Sequence, residues 1–122
     1  MASSLLNVTF DCIDAERMSE FWAAVLGWPA TFSDSPGNPY FFVAEREDTC
    51  PRFVFVAVSE PKPTKSRVHP DIAAEGDDDA AYDAELARIV GLGARVLDDR
   101  RQKAPGGWVV LQDPEGNEFC LE

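Results

Sequence analysis

The chain predicts an α+β fold built from two β-α-β-β-β modules that form an open, mixed-sheet barrel, and three observations carry that expectation. Along the first half the apolar period changes from 2 to 3.6 and back, which reads as strand, helix, strands. The same order of elements returns after a proline-bearing stretch at residues 59–66. Each helical segment also ends on glycine, so that Val25-Leu26-Gly27-Trp28 is echoed by Gly91-Leu92-Gly93-Ala94. The expected organisation is one domain with module one at 5–58, a linker at 59–66 and module two at 67–122.

Residues 5–13 alternate well enough for a strand, and Asp14 stands where a helix N-cap belongs. The helix predicted over 15–26 carries Met18, Phe21, Trp22, Val25 and Leu26 at i, i+3, i+4, i+7 and i+8, a single face, and Gly27 ends it. Strands are expected near 29–33, 39–45 and 52–58, separated by the turn-forming stretches Asp34 to Asn38 and Arg46 to Pro51. Ser59 to Ser66, with two prolines and no apolar anchor, reads as a stiff solvated connection. In the second half Arg67–Ala74 reads as a strand. Asp77-Asp78-Asp79 opens a helix whose positive end suits carboxylates, and Tyr82, Leu86, Ile89 and Val90 give it an apolar face. Strands near 94–98, 107–112 and 117–121 complete the module.

Composition excludes several classes. In 122 residues, 22 acidic side chains face 11 lysines and arginines, a formal net charge of −11. Nucleic acid and anionic membrane are therefore not expected partners, and a cationic ligand suits this field better than an anionic one. No apolar run is long enough to span a bilayer, and the N-terminal residues lack the pattern of a secretory signal. Three cysteines without CxxC spacing favour reduced thiols over a disulfide framework, so a cytoplasmic location is expected. Dinucleotide-binding, P-loop, nucleophile-elbow and zinc-protease motifs are all absent.

Four segments in order resemble the vicinal oxygen chelate superfamily, which includes glyoxalase I, bleomycin-resistance proteins and extradiol dioxygenases. They are Phe21-Trp22 through Trp28, Lys65 to Asp71, Leu92-Gly93-Ala94, and Asp113-Pro114-Glu115-Gly116-Asn117-Glu118-Phe119, and together they span nearly the whole chain. The chain is most similar to small bacterial glyoxalase-like domain proteins. The resemblance implies that each module supplies a metal ligand from its first strand and another from its last. Carried over, these positions fall on Asn7 and His69 for the first strands, on Cys120 for the last strand of module two, and near Val54 or Val56 for module one. Only His69 is a conventional ligand, so no catalytic metal is expected; the alternative is a divalent metal on His69 with Asp71 or Glu118.

Strand alternation then assigns faces. With His69 toward the implied cleft, Asp71 follows it there, while Val68, Pro70 and Ile72 turn to the helix layer. Asn7, Thr9 and Asp11 share the cleft face of the first strand, and Glu118, Cys120 and Glu122 that of the last. Trp22 belongs to the core; Trp108, after Gly106-Gly107, is a candidate stacking surface at the cleft mouth. His69, the one histidine, is the candidate general base, and Glu118 the accompanying carboxylate. With nothing basic beside it in sequence, Cys120 is read as an inert thiol. The expected function is binding of a small organic molecule in the cleft of a homodimeric protein. A metal-dependent lyase or isomerase of the glyoxalase type, or a bleomycin-resistance-like drug binder, are the alternatives the resemblance implies.

Overall fold

A computed structural model describes residues 2–35, 37–103 and 106–122. The chain divides into two compact units, with the boundary between Pro61 and Lys62. Each unit contains one helix and one mixed four-stranded sheet.

In the first unit β1 (Asn7–Cys12), α1 (Ala15–Leu26), β2 (Ala30–Ser35), β3 (Asn38–Val43) and β4 (Arg52–Ala57) follow in chain order. The sheet runs β1-β4-β3-β2, with β1 parallel to β4 and the other pairs antiparallel. Asp14 caps α1 by accepting a hydrogen bond from the Arg17 amide at 3.1 Å, and Gly27 ends the helix in the left-handed region at φ 67°. Met18, Phe21, Trp22 and Val25 are buried. Trp22 meets Phe53 edge-on at 5.4 Å between ring centroids, and Phe10 lies 5.2 Å from Phe53 and 5.1 Å from Phe55. One sheet face is thus the aromatic bed on which α1 packs. On the other face Phe42, Ala44 and Val54 form a second buried cluster, with Tyr40 and Val56 against it. Nine-tenths or more of Phe42 and Val54 is hidden, so apolar residues fill both faces of this sheet and alternation alone could not separate core from cleft.

The second unit contains β5 (Asp71–Ile72), α2 (Asp79–Gly91), β6 (Arg95–Asp99), β7 (Val109–Gln112) and β8 (Glu118–Leu121), with sheet order β5-β8-β7-β6. The strand expected over Arg67–Ala74 is reduced to Asp71–Ile72. Pro70 explains this: without an N–H it can only accept, as it does from the Cys120 amide at 2.9 Å, and the ladder starts after it. Val68, placed by alternation in the helix layer, lies before the ladder and is 81% exposed. Val90 is also outward-facing, whereas Ile89 is fully buried and Tyr82 and Leu86 are half-buried. The Tyr82 hydroxyl ties α2 to the sheet by donating to the Leu121 carbonyl at 2.6 Å.

Asp113 to Asn117 closes β7 onto β8. The buried Asp113 carboxylate accepts from the Glu115 amide at 3.0 Å, the Asn117 amide at 2.9 Å and the Asn117 side chain at 2.9 Å. Gly116 sits at φ 86°, where a side chain would be strained. The turn sets the register Gln112↔Glu118 and Val110↔Cys120, which puts Phe119 and Leu121 in the core and Glu118 and Cys120 on the opposite face.

Candidate functional site

The face of the second sheet opposite its core carries a hollow of about 260 Å³. Its lining comes from β5 (Asp71), β7 (Val110), β8 (Glu118, Cys120), the segments just before β5 and β7 (Lys65, His69, Trp108), and Arg100 and Glu122. Parallel pairing of β5 with β8 sets Asp71 opposite Cys120, and His69, two residues before Asp71, projects on the same side. His69 Nδ1 and Asp71 Oδ1 are 3.1 Å apart, with each side chain about half exposed. The Cys120 sulfur lies 4.0 Å from the same Nδ1.

Glu118 is buried, and Lys65 Nζ donates to its carboxylate at 2.5 Å. Its backbone N–H donates to Ser66 Oγ at 3.2 Å, so the segment before β5 is laced to β8 at two points. The partner of Glu118 is therefore Lys65, 53 positions away. Burial is the largest influence on the Cys120 thiol, followed by the negative charge and hydrogen bond of Asp71 and the charges of Glu122 and Glu118; together they push its pKa up to about 11. At neutral pH it is a thiol and a poor nucleophile despite the neighbouring imidazole. The Arg100 guanidinium lies 5.7 Å from the centre of the Trp108 ring and 3.7 Å from Asp98. Gly107 permits this corner, because a Cβ there would meet the Arg100 carbonyl oxygen at 2.2 Å.

Of the residues singled out in the sequence, His69, Asp71, Trp108, Glu118, Cys120 and Glu122 line this one hollow. Asn7, Thr9 and Asp11 belong to the other unit, where they share the exposed side of β1. There the Asn7 side-chain oxygen accepts from Arg52 Nε at 2.8 Å, and that guanidinium covers the Phe42 ring at 4.3 Å. Val54 is buried and Val56 half-buried in the same unit, and neither side chain offers a donor atom. Lys65, Arg100 and Val110 were not foreseen as lining residues. Val110 was legible, since it follows Trp108 by two positions in the strand expected near 107–112; Lys65 opens the resembling segment Lys65 to Asp71, but no local pattern turns it or Arg100 toward the hollow.

Among the described residues, one group of three metal-ligating side chains converges: the donor atoms of His69, Asp71 and Cys120 lie within 4.8 Å of one another. The oxygen- and nitrogen-ligated divalent ion implied by the superfamily does not fit this set. One donor is a thiol, a soft ligand in place of the carboxylate, and the nearby Glu118 carboxylate is already taken by Lys65.

The repeated β-α-β-β-β unit is the architecture of the vicinal oxygen chelate proteins. A family model described as Glyoxalase-like domain matches residues 7–122, and the chain belongs to that family within this superfamily. Among solved structures, the fosfomycin resistance protein FosX from Mesorhizobium loti is similar over 100% of this chain and 92% of its own, at 21% identity and a TM-score of 0.72. A FosX variant from Listeria monocytogenes, complexed with Mn(II) and 1S,2S-dihydroxypropylphosphonic acid, matches 100% of this chain and 93% of its own at 16% identity and a TM-score of 0.71. A glyoxalase/bleomycin resistance protein/dioxygenase family enzyme from Burkholderia phytofirmans PsJN covers 98% of this chain and 97% of its own, at 21% identity and a TM-score of 0.65. At these identities the likeness establishes the fold. No curated protein matches the sequence.

Proposed function

We propose that this protein binds a small organic molecule, neutral or cationic, in the hollow of its second unit, without the oxygen- and nitrogen-ligated metal of its superfamily. The observation that carries this reading is the lining itself: an aromatic and aliphatic wall, Trp108 with Val110, faces polar groups on His69, Asp71 and Glu122. An apolar surface with a few convergent polar groups is the usual composition of a small-molecule site. At about 260 Å³ the hollow suits a ligand at the small end of that class and is too small to enclose a glycopeptide, which argues against a bleomycin-type ligand.

Charge argues for the ligand's sign. Asp71, Glu118 and Glu122 outnumber Lys65 and Arg100 around the hollow, and Lys65 is engaged by Glu118. A phosphonate dianion of the kind bound by the Listeria neighbour would meet no net positive field here. If Nδ1 of His69 donates to Asp71, Nε2 is left as the acceptor, so His69 is the group able to take a proton from a bound molecule. The Glu118 carboxylate, held by Lys65, is less available for that role.

The test is a thermal-shift screen of neutral, singly cationic and phosphonate fragments, followed by calorimetry on the hits. Neutral or cationic fragments are expected to bind, with at least tenfold loss in Trp108→Ala and little change in stability. Preferential binding of phosphonates, or hits indifferent to Trp108→Ala, would refute the reading. We further propose a cytoplasmic homodimer, for which sedimentation at micromolar concentration is the check. No helix among the described residues is long and apolar enough to cross a membrane.

A further inference from the structure

On the reading of the hollow as the ligand site, we infer that Lys65 stands in for the ligand. Its ammonium group occupies, on the Glu118 carboxylate, the place taken by the ammonium of a small primary amine with a short apolar body. Lys65 is thus an autoinhibitory contact, and the ligand's class is that of the group it imitates.

The two partners differ in their surroundings. The Glu118 side chain is 10% exposed and that of Lys65 78%, yet Lys65 Nζ stands 2.5 Å from Glu118 Oε2. Lys65 therefore reaches the carboxylate with its stem in water, and this contact is its side chain's one hydrogen bond among the described residues. A lysine stem held by its tip loses rotamer freedom that it regains on release. A buried carboxylate, by contrast, is strongly disfavoured without a cation beside it. Glu118 requires an ammonium, whereas nothing ties that ammonium to Lys65.

Backbone anchoring makes the exchange a side-chain event. The segment between β4 and β5 that carries Lys65 is bound to β8 at two other points. The Glu118 amide donates to Ser66 Oγ at 3.2 Å, and the Cys120 amide donates to the Pro70 carbonyl at 2.9 Å. Neither bond involves Nζ, so Lys65 swings away while the segment stays. The second oxygen of Glu118, Oε1, accepts no hydrogen bond from the described residues and is not sealed from the hollow that Glu118 lines. An incoming ammonium, with three N–H donors, therefore engages Oε1 before Lys65 leaves Oε2.

Strand register places the rest of the ligand. In the antiparallel β7–β8 pair Val110 is opposite Cys120 and Gln112 opposite Glu118, while Trp108 lies two residues before Val110. Glu118 and Trp108 therefore stand at opposite ends of the hollow, about 14 Å apart along the strands, with Val110 between them. An amine whose ammonium meets Glu118 lays its apolar body along Val110 toward Trp108. Asp71 is the poorer anchor, being half exposed and already 3.1 Å from His69 Nδ1.

The experiment is calorimetry on the full chain with 3-phenylpropylamine and its neutral counterpart, 3-phenylpropan-1-ol. Lys65→Met is expected to tighten the amine about fivefold, the upper end of what an exposed lysine pair withholds, and to leave the alcohol unchanged. Glu118→Gln should remove the amine's advantage over the alcohol. In the wild-type chain the Lys65 ε-CH2 proton resonance, assigned by its loss in Lys65→Arg, should move toward the free-lysine position with the amine and stay put with the alcohol. That measurement decides the matter should Lys65→Met not fold. Amine binding unchanged or weakened in Lys65→Met, equal gains for amine and alcohol, an amine advantage that survives Glu118→Gln, or a Lys65 resonance indifferent to the amine would overturn the inference. Neutral fragments that still bind through Trp108 would then leave the hollow as the ligand site and remove only the role of Lys65. If no fragment binding depends on Trp108, the reading of the hollow falls and this inference with it.

Discussion

Replacing Asp113 by alanine should destabilise the protein more than any other single change in the β7–β8 turn. The side chain is 2% exposed and receives the Glu115 and Asn117 amides at 3.0 and 2.9 Å and the Asn117 side-chain amide at 2.9 Å. A hydrogen bond to a charged acceptor contributes about 1.5–3 kcal/mol, and a donor stranded by its loss costs about 1–3 kcal/mol if buried. The donors on Glu115 and Asn117 belong to half-buried residues, so water recovers part of each bond and the contributions are not additive. We expect a net loss of about 2–4 kcal/mol. For a chain of this size that lowers the thermal midpoint by about 8–16 °C. Asp113→Asn, which keeps an acceptor oxygen but loses the charge, should cost about 1 kcal/mol. Urea unfolding followed by far-ultraviolet circular dichroism measures both, with an unchanged denaturant slope expected if the native state keeps its compactness. A loss under about 0.5 kcal/mol for Asp113→Ala would refute the assignment of this carboxylate as the organiser of the turn.

The elevated Cys120 pKa predicts a pH profile. A thiol titrating near 8.5 in the unfolded chain and at about 11 when folded contributes stability that is fully present below about 8.5 and lost as pH rises toward about 11. Alkylation at pH 8 should therefore be slow at Cys120 and faster at the exposed Cys50, read by mass spectrometry of peptides; equal rates would contradict the burial argument. Gly107→Ala should destabilise by about 1–3 kcal/mol, because the new methyl meets backbone at Arg100 and Arg101 rather than a yielding side chain. An unchanged melting temperature for that variant would show that the corner can open.

The helix over 15–26 was readable in full, because the Asp14 cap, the apolar stripe and Gly27 are local signals that agree. The strand ending in Cys120 was equally legible from its period-two pattern, with the turn at Asp113 fixing where it starts. The strand before α2 was overextended, although Pro70 was in view: alternation in Arg67–Ala74 is a side-chain pattern, and the missing N–H is a backbone property that overrides it. In the hollow, the resemblance pointed to His69 and Cys120, and face assignment added Asp71 and Glu118. Lys65 followed from neither, since its value lies in a single contact across 53 residues with Glu118.

By itself the sequence determined the duplicated order of elements, the caps and turns, and which side of β8 carries polar groups. These depend on interactions between residues a few positions apart, where spacing is geometry. Tertiary structure decided what the polar side does. Parallel pairing of β5 with β8 set Asp71 opposite Cys120, brought His69 to 4.0 Å from the sulfur and occupied Glu118 with Lys65. Strand register and burial set distances and solvation together, and no local pattern encodes either. In that setting the thiol retains its proton to about pH 11 and lies within reach of the imidazole and the carboxylate.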